Sequence, residues 1–132
     1  MGQKSISKIV SVVQTGSDPF DTDSTIEAFG DWLSQAKAAG TELVVFPEAY
    51  IGGYPKGVDF GTRVGSRTEA GRDLFRMYAD NAVELESARY AALADLVAAN
   101  DMTCIVGAIE KRLELDPGER ANSSTMLRLQ NV

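Results

Sequence analysis

Short β-branched runs alternate along this chain with longer stretches of helical period. Ile9, Val10, Val12 and Val13 form the first run. It ends at Gln14-Thr15-Gly16 and predicts a buried strand followed by a turn. Ser17-Asp18-Pro19 is loop. Ser24-Thr25-Ile26-Glu27 has the spacing of a capping box, in which hydroxyl and carboxylate satisfy free N–H groups at a helix start. Ile26, Phe29, Leu33 and Ala36 follow on one helical face, and Gly40 supplies a left-handed stop. Leu43-Val44-Val45-Phe46, closed by Pro47, predicts a second buried strand. Strand, amphipathic helix and strand make a βαβ unit, with parallel strands and a right-handed crossover.

The stretch from Ile51 to Gly65 carries five glycines and Pro55. It predicts a long loop of the kind that bears binding sites. Ser66-Arg67-Thr68-Glu69 repeats the capping-box spacing ahead of Leu74, Phe75, Tyr78, Ala79 and Ala82, which share one helical face. A further helix is expected from Ser87 to Ala99, with Tyr90, Leu93, Ala94 and Val97 inward and Asn100 as its cap. Thr103 to Ile109 predicts a third strand, Asp116-Pro117-Gly118 a turn, and Thr125 to Val132 a fourth strand. The order β-α-β-α-α-β-β is an α/β layer arrangement. No closing helix follows the last strand, so the expectation is an unfinished domain over residues 1–132.

Composition narrows the chemistry. Of 132 residues, 44% are hydrophobic and 24% charged, which excludes disorder along the whole length. Thirteen Lys and Arg against nineteen Asp and Glu give a formal charge of −6, dispersed along the chain. That argues against nucleic acid or an anionic membrane as partner. There is no His, which removes imidazole chemistry and most zinc sites, and no metal or other cofactor is expected. Cys104 is the only cysteine, so no intrachain disulfide can form. Met1-Gly2-Gln3-Lys4-Ser5-Ile6-Ser7 lacks a signal peptide's apolar run, and Ile6 breaks the myristoylation pattern. The expected location is the cytoplasm.

The segment Val44-Val45-Phe46-Pro47-Glu48-Ala49-Tyr50-Ile51-Gly52-Gly53-Tyr54-Pro55-Lys56-Gly57 resembles the nitrilase branch of the carbon–nitrogen hydrolase superfamily. The likeness continues through Asp59-Phe60-Gly61 and Gly71-Arg72-Asp73-Leu74-Phe75, and returns at Ile105-Val106-Gly107-Ala108-Ile109-Glu110-Lys111. Gln14 fits it too. Beyond Lys111 it is weak, although Asn122-Ser123 stands where the family has a short Asn-Thr pair. FPEA together with GGYPKG carries the specificity. The resemblance implies the N-terminal part of an α-β-β-α sandwich and a Glu–Lys–Cys catalytic set. In that chemistry a cysteine thiolate attacks the nitrile carbon and forms a covalent thioimidate. Water then releases ammonia and a carboxylic acid. The implied partners are a small nitrile substrate and, in the complete protein, further copies of itself.

By the same resemblance Glu48 is the general base toward the thiol and then toward water. Its own setting agrees, because it follows a strand end, where open α/β sheets hold their ligands. Burial there would raise its pKa toward that of a useful base. Motif and context outweigh the alternative, a strand-end carboxylate capping the next turn. Tyr54 has two readings left open, a pocket wall or an aromatic anchor for the loop. Lys56 reads as a solvated surface lysine, since the family's catalytic lysine lies in a later segment. Glu110 reads as a salt-bridged structural carboxylate. Cys104 sits inside a predicted strand, not on a turn after one, and reads as a small buried hydrophobe. The glycines fit no phosphate-binding spacing, and Pro55 removes a backbone donor. The family's lysine and cysteine segments have no counterpart before Val132. The expectation is therefore a chain inactive alone, whose chemistry belongs to a larger nitrilase. The alternatives are a non-catalytic module pairing with a full-length nitrilase subunit, or part of an amidase of the same superfamily.

Overall fold

The computed structural model describes residues 6–63, 66–111 and 125–129. In chain order its elements are β1 (Val10–Val12), α1 (Thr22–Ala38), β2 (Leu43–Val45), β3 (Thr62–Arg63), β4 (Ser66–Arg67), α2 (Glu69–Asp80), α3 (Ala88–Asn100), β5 (Thr103–Ala108) and β6 (Thr125–Leu129). This is the expected α/β order with one addition. A small antiparallel hairpin, β3–β4, begins within the stretch expected to be loop. The turn at Asp116-Pro117-Gly118 and the Asn122-Ser123 pair lie outside the described residues.

The main sheet has the order β1-β2-β5-β6. β1, β2 and β5 are parallel, with Ser11 opposite Val44 and Val44 opposite Cys104. β6 pairs antiparallel with β5. Alternate side chains of a strand point to opposite faces, so this register sorts the sheet into two faces. Val44, Cys104 and Val106 fall on one face. They join Phe29 and Leu33 of α1 and Leu93 and Val97 of α3 in a single core, and all seven are essentially inaccessible. Each large apolar side chain buried this way contributes about 1.5–3 kcal/mol.

Val10 and Val12 take the other face, level with Leu43 and Val45. They are 52% and 68% exposed, and Ile9 is exposed as well. The buried first strand expected from its β-branched residues is thus corrected. β1 lies at the edge of the described sheet, and only Val13 at its end is buried. Composition marks a strand, but what covers each face decides its burial.

The helix starts also differ from the capping-box expectation. Asp21, not Ser24, caps α1. The Ser24 N–H donates to Asp21 Oδ1 at 3.0 Å and its hydroxyl to Oδ2 at 2.7 Å. These bonds hold the Asp21 carboxyl below its ordinary value, the backbone bond most strongly. Ser24 therefore lies inside the helix. At α2 the cap is Thr68, which accepts from the Gly71 N–H, while Ser66 belongs to β4. α3 starts where expected, with Ser87 as its N-cap, but the C-cap is Asp101 in the left-handed region (φ 49°) and not Asn100. Along α2, Tyr78 is buried but Phe75 is exposed, with its ring edge-to-face against Phe60 at 5.6 Å between centroids. No helix among the described residues is long and apolar enough to cross a membrane.

One polar tie joins the start of α1 to the end of α2. Thr22, fully buried, donates its hydroxyl to the Asn81 carbonyl at 2.5 Å, and its N–H to Asn81 Oδ1 at 3.2 Å. Thr22→Val keeps the shape and deletes the hydroxyl donor, leaving a carbonyl unpaired. It is expected to cost about 1–3 kcal/mol. The check is a lower denaturant midpoint at unchanged slope, and an unaltered midpoint would contradict the assignment.

Candidate active site

The pairing of β2 with β5 does not end at Val45. The Phe46 N–H donates to the Ile105 carbonyl at 2.8 Å, and the Ile51 N–H donates to the Gly107 carbonyl at 3.0 Å. Ile109 returns a bond to the Ile51 carbonyl at 2.8 Å. One chain advances from 46 to 51 while its partner advances only from 105 to 107. The surplus, Pro47 to Tyr50, must leave the sheet as a turn. Pro47 has no N–H to offer on the β1 side, where Val45 accepts from Val13, so the strand stops there. Ala49 completes the turn in the left-handed region at φ 52°, a conformation that costs a non-glycine residue of order 1 kcal/mol.

The turn rests on Gly107. A Cβ there would lie 2.5 Å from the Ala49 nitrogen, 2.8 Å from Glu48 Cα and 2.9 Å from the Pro47 carbonyl oxygen. Only glycine lets the two backbones approach this closely. Farther on, Gly53 (φ 76°) packs directly against Pro19, and its carbonyl accepts the buried Tyr78 hydroxyl at 3.1 Å. Tyr50 and Tyr78 have phenols raised above their ordinary value by burial. The loop is thereby fixed at both ends.

Ala49 and Tyr50 turn into the core, at 4% and 2% exposure, and Glu48 between Pro47 and Ala49 is left exposed. The expected burial of Glu48 is thus corrected, because the turn lifts it off the sheet. It lines a cavity of about 250 Å³. Thr15, Gly16 and Ser17 form one wall and Tyr54 and Lys56 another. The first group follows β1 and the second follows the turn after β2, so the cavity sits at the carboxyl ends of neighbouring parallel strands. Open α/β sheets bind ligands there. Tyr54 is 62% exposed on this wall, and Lys56 is exposed at the same cavity.

Two other residues stand apart. Glu110 bridges in parallel to Val83 beyond the end of β5, off the cavity wall. Cys104 is fully buried against Val44 and does not line the cavity. Burial pushes its thiol from 9.0 up to about 12, which keeps it protonated and inert. Among the described residues no group of three or more His, Cys, Asp or Glu could hold a metal ion.

The sequence profile of the carbon–nitrogen hydrolase family matches residues 9–131. The chain belongs to that family.

Within it, the nitrilase branch is the one it shares. Nitrilase 2 of Arabidopsis thaliana is 43% identical over 100 residues, covering 76% of this chain and 30% of the relative. A nitrilase of Bradyrhizobium diazoefficiens is 41% identical over 100 residues, covering 76% of this chain and 31% of the relative. A bifunctional nitrilase/nitrile hydratase of Nicotiana tabacum is 36% identical over 113 residues, 84% of this chain and 32% of the relative. The chain thus spans about 30% of the length of these curated relatives. The α/β architecture is the one a nitrilase-like N-terminal region requires.

In this carbon–nitrogen hydrolase chain, Glu48, Tyr54 and Lys56 come together at one cavity, and Cys104 and Glu110 do not. Sequence reasoning missed Thr15, Gly16 and Ser17, although adjacency of parallel strand ends was the signal for them. It also passed over Gly107, where a glycine inside a strand marks close backbone approach.

The Cys104 assignment has a pH signature. Its folded value lies above its ordinary one, so its contribution to stability is whole below about 9 and is lost as pH rises toward about 12. The tyrosines begin their decline later, from 10.0. Alkaline unfolding curves are expected to show a loss from pH 9 that Cys104→Ala abolishes in its early part. Native protein is expected to resist thiol reagents at pH 8 until denatured. Prompt labelling of native protein would contradict the buried, inert reading.

Proposed function

We propose that this chain carries the general-base portion of a nitrile-hydrolysing site, with Glu48 as the base. The observation that supports it is the turn after β2. That turn presents an exposed carboxylate to a cavity at the carboxyl ends of β1 and β2, within the motif shared with nitrilases. On this reading Cys104 is not the attacking thiol, since it is buried away from the cavity, and the resemblance puts the family's lysine and cysteine in later segments. Glu48 takes the proton of the incoming thiol, and the thiolate adds to the nitrile carbon to give a thioimidate. The same carboxylate then activates two waters in turn: the first displaces ammonia and leaves a thioester, and the second releases the acid and restores the thiol. Tyr54 forms part of the substrate wall. A small nitrile is the substrate, and the working protein contains several copies of itself in the cytoplasm. The bifunctional relatives make the amide a second product worth measuring.

A second reading has one observation in its favour. Exposed Val10 and Val12 on an edge strand offer a surface for another chain, as a non-catalytic module pairing with a longer nitrilase subunit would need. Membership of the nitrilase branch weighs against the amidase alternative.

The test is release of ammonia and amide from a panel of aliphatic and aromatic nitriles. The 132-residue chain alone is expected to be inactive. In the intact protein that carries it, Glu48→Gln is expected to lower the rate by about 10³-fold, in the range of a general base, and Cys104→Ala to leave it within a few fold. Full activity in Glu48→Gln, or loss in Cys104→Ala, would overturn the reading.

A further inference from the structure

Gly107 contributes no side chain to the cavity, yet the turn that carries Glu48 is built on it. The Pro47–Ala49 backbone crosses the strand so closely that a single added carbon would meet three of its atoms at 2.5–2.9 Å. All three belong to the turn: the Pro47 carbonyl oxygen, Glu48 Cα and the Ala49 nitrogen. The Gly107 carbonyl also accepts the Ile51 N–H that closes the turn. The same residue therefore sets both the height of the turn above the sheet and its far anchor. Ala49, with its left-handed backbone, fixes the remaining degree of freedom.

We propose that Gly107 is a positioning residue for Glu48: its bare Cα holds the carboxylate's backbone at the depth the reaction needs. This rests on the reading of Glu48 as the general base. A Cβ at 107 has only backbone to displace, so the turn rises by some fraction of an ångström to an ångström and takes Glu48 with it. A misplacement of that size costs about 10²-fold in rate while leaving binding elsewhere in the pocket largely intact.

The experiment compares kcat, KM and thermal midpoint in the intact protein that carries this chain, for Gly107→Ala, Ala49→Gly, Thr22→Val and Glu48→Gln. Gly107→Ala is expected to lower kcat about 10²-fold with KM within about threefold. Thr22→Val, which loosens the fold away from the cavity, is expected to lower the midpoint and keep kcat, so a general loss of stability does not imitate the effect. If Gly107→Ala does not fold, Ala49→Gly decides, because it adds no atom and suits φ 52° while freeing the turn over Gly107. It is expected to fold and to lose about tenfold in kcat at unchanged KM. A kcat within twofold of the parent in the deciding variant overturns the proposal. If Glu48→Gln is itself fully active, the general-base reading fails and this inference with it. If Glu48→Gln is inactive and the deciding variant is normal, only the positioning role fails.

Discussion

The N–H groups of Phe46 and Ile51 donate to carbonyls only two residues apart on β5. That mismatch in spacing is the constraint from which the rest of the site follows. Four residues must leave the sheet between the two bonds, and Pro47 determines where they leave. Gly107 lets them lie flat against the strand, and Ala49 turns them back. Glu48 is exposed because the turn draws the two residues after it, Ala49 and Tyr50, into the core. Just past β5, Ile109 and Lys111 bond to Val83, so residues 103–111 serve as the spine on which β2, the Pro47–Tyr50 turn and the α2–α3 connection are all hung.

The two groups that sequence alone offers for covalent chemistry are treated oppositely by this arrangement. The carboxylate of Glu48 stands in an open cavity beside hydroxyls and an exposed lysine. The thiol of Cys104 lies under α1 and α3, where burial keeps its proton on. A thiol in that state is a packing atom. Under the proposed function this part of the sheet supplies base and binding wall, and Cys104 takes no part in the chemistry.

Much of the fold was legible. The apolar runs named three strands of the sheet and the βαβ order made the first two parallel, and the helical faces of α1 and α3 carried their own period. The cap was misplaced by a turn at α1 because Asp21 and Ser24 are both good capping residues, and in the structure Asp21 takes the role by accepting the Ser24 N–H. Exposure of β1 was not legible, since Val10 looks the same on a covered face as on an open one. The site was half legible. Glu48 and Tyr54 stood out within FPEA and GGYPKG, but the turn that exposes Glu48 depends on Gly107, some sixty residues away. A glycine inside a strand marks close backbone approach, but no local pattern names a partner so far along the chain.

The most direct test of the account is amide hydrogen exchange across residues 44–52. A turn clamped on β5 at both ends requires slow exchange at Phe46 and Ile51, comparable with central-strand amides, and fast exchange at Glu48 between them. That profile is the predicted result. An Ile51 amide exchanging as quickly as Glu48 would mean that the far anchor does not hold. The carboxylate would then sit on an open loop, and the structural basis offered for its role would be wrong.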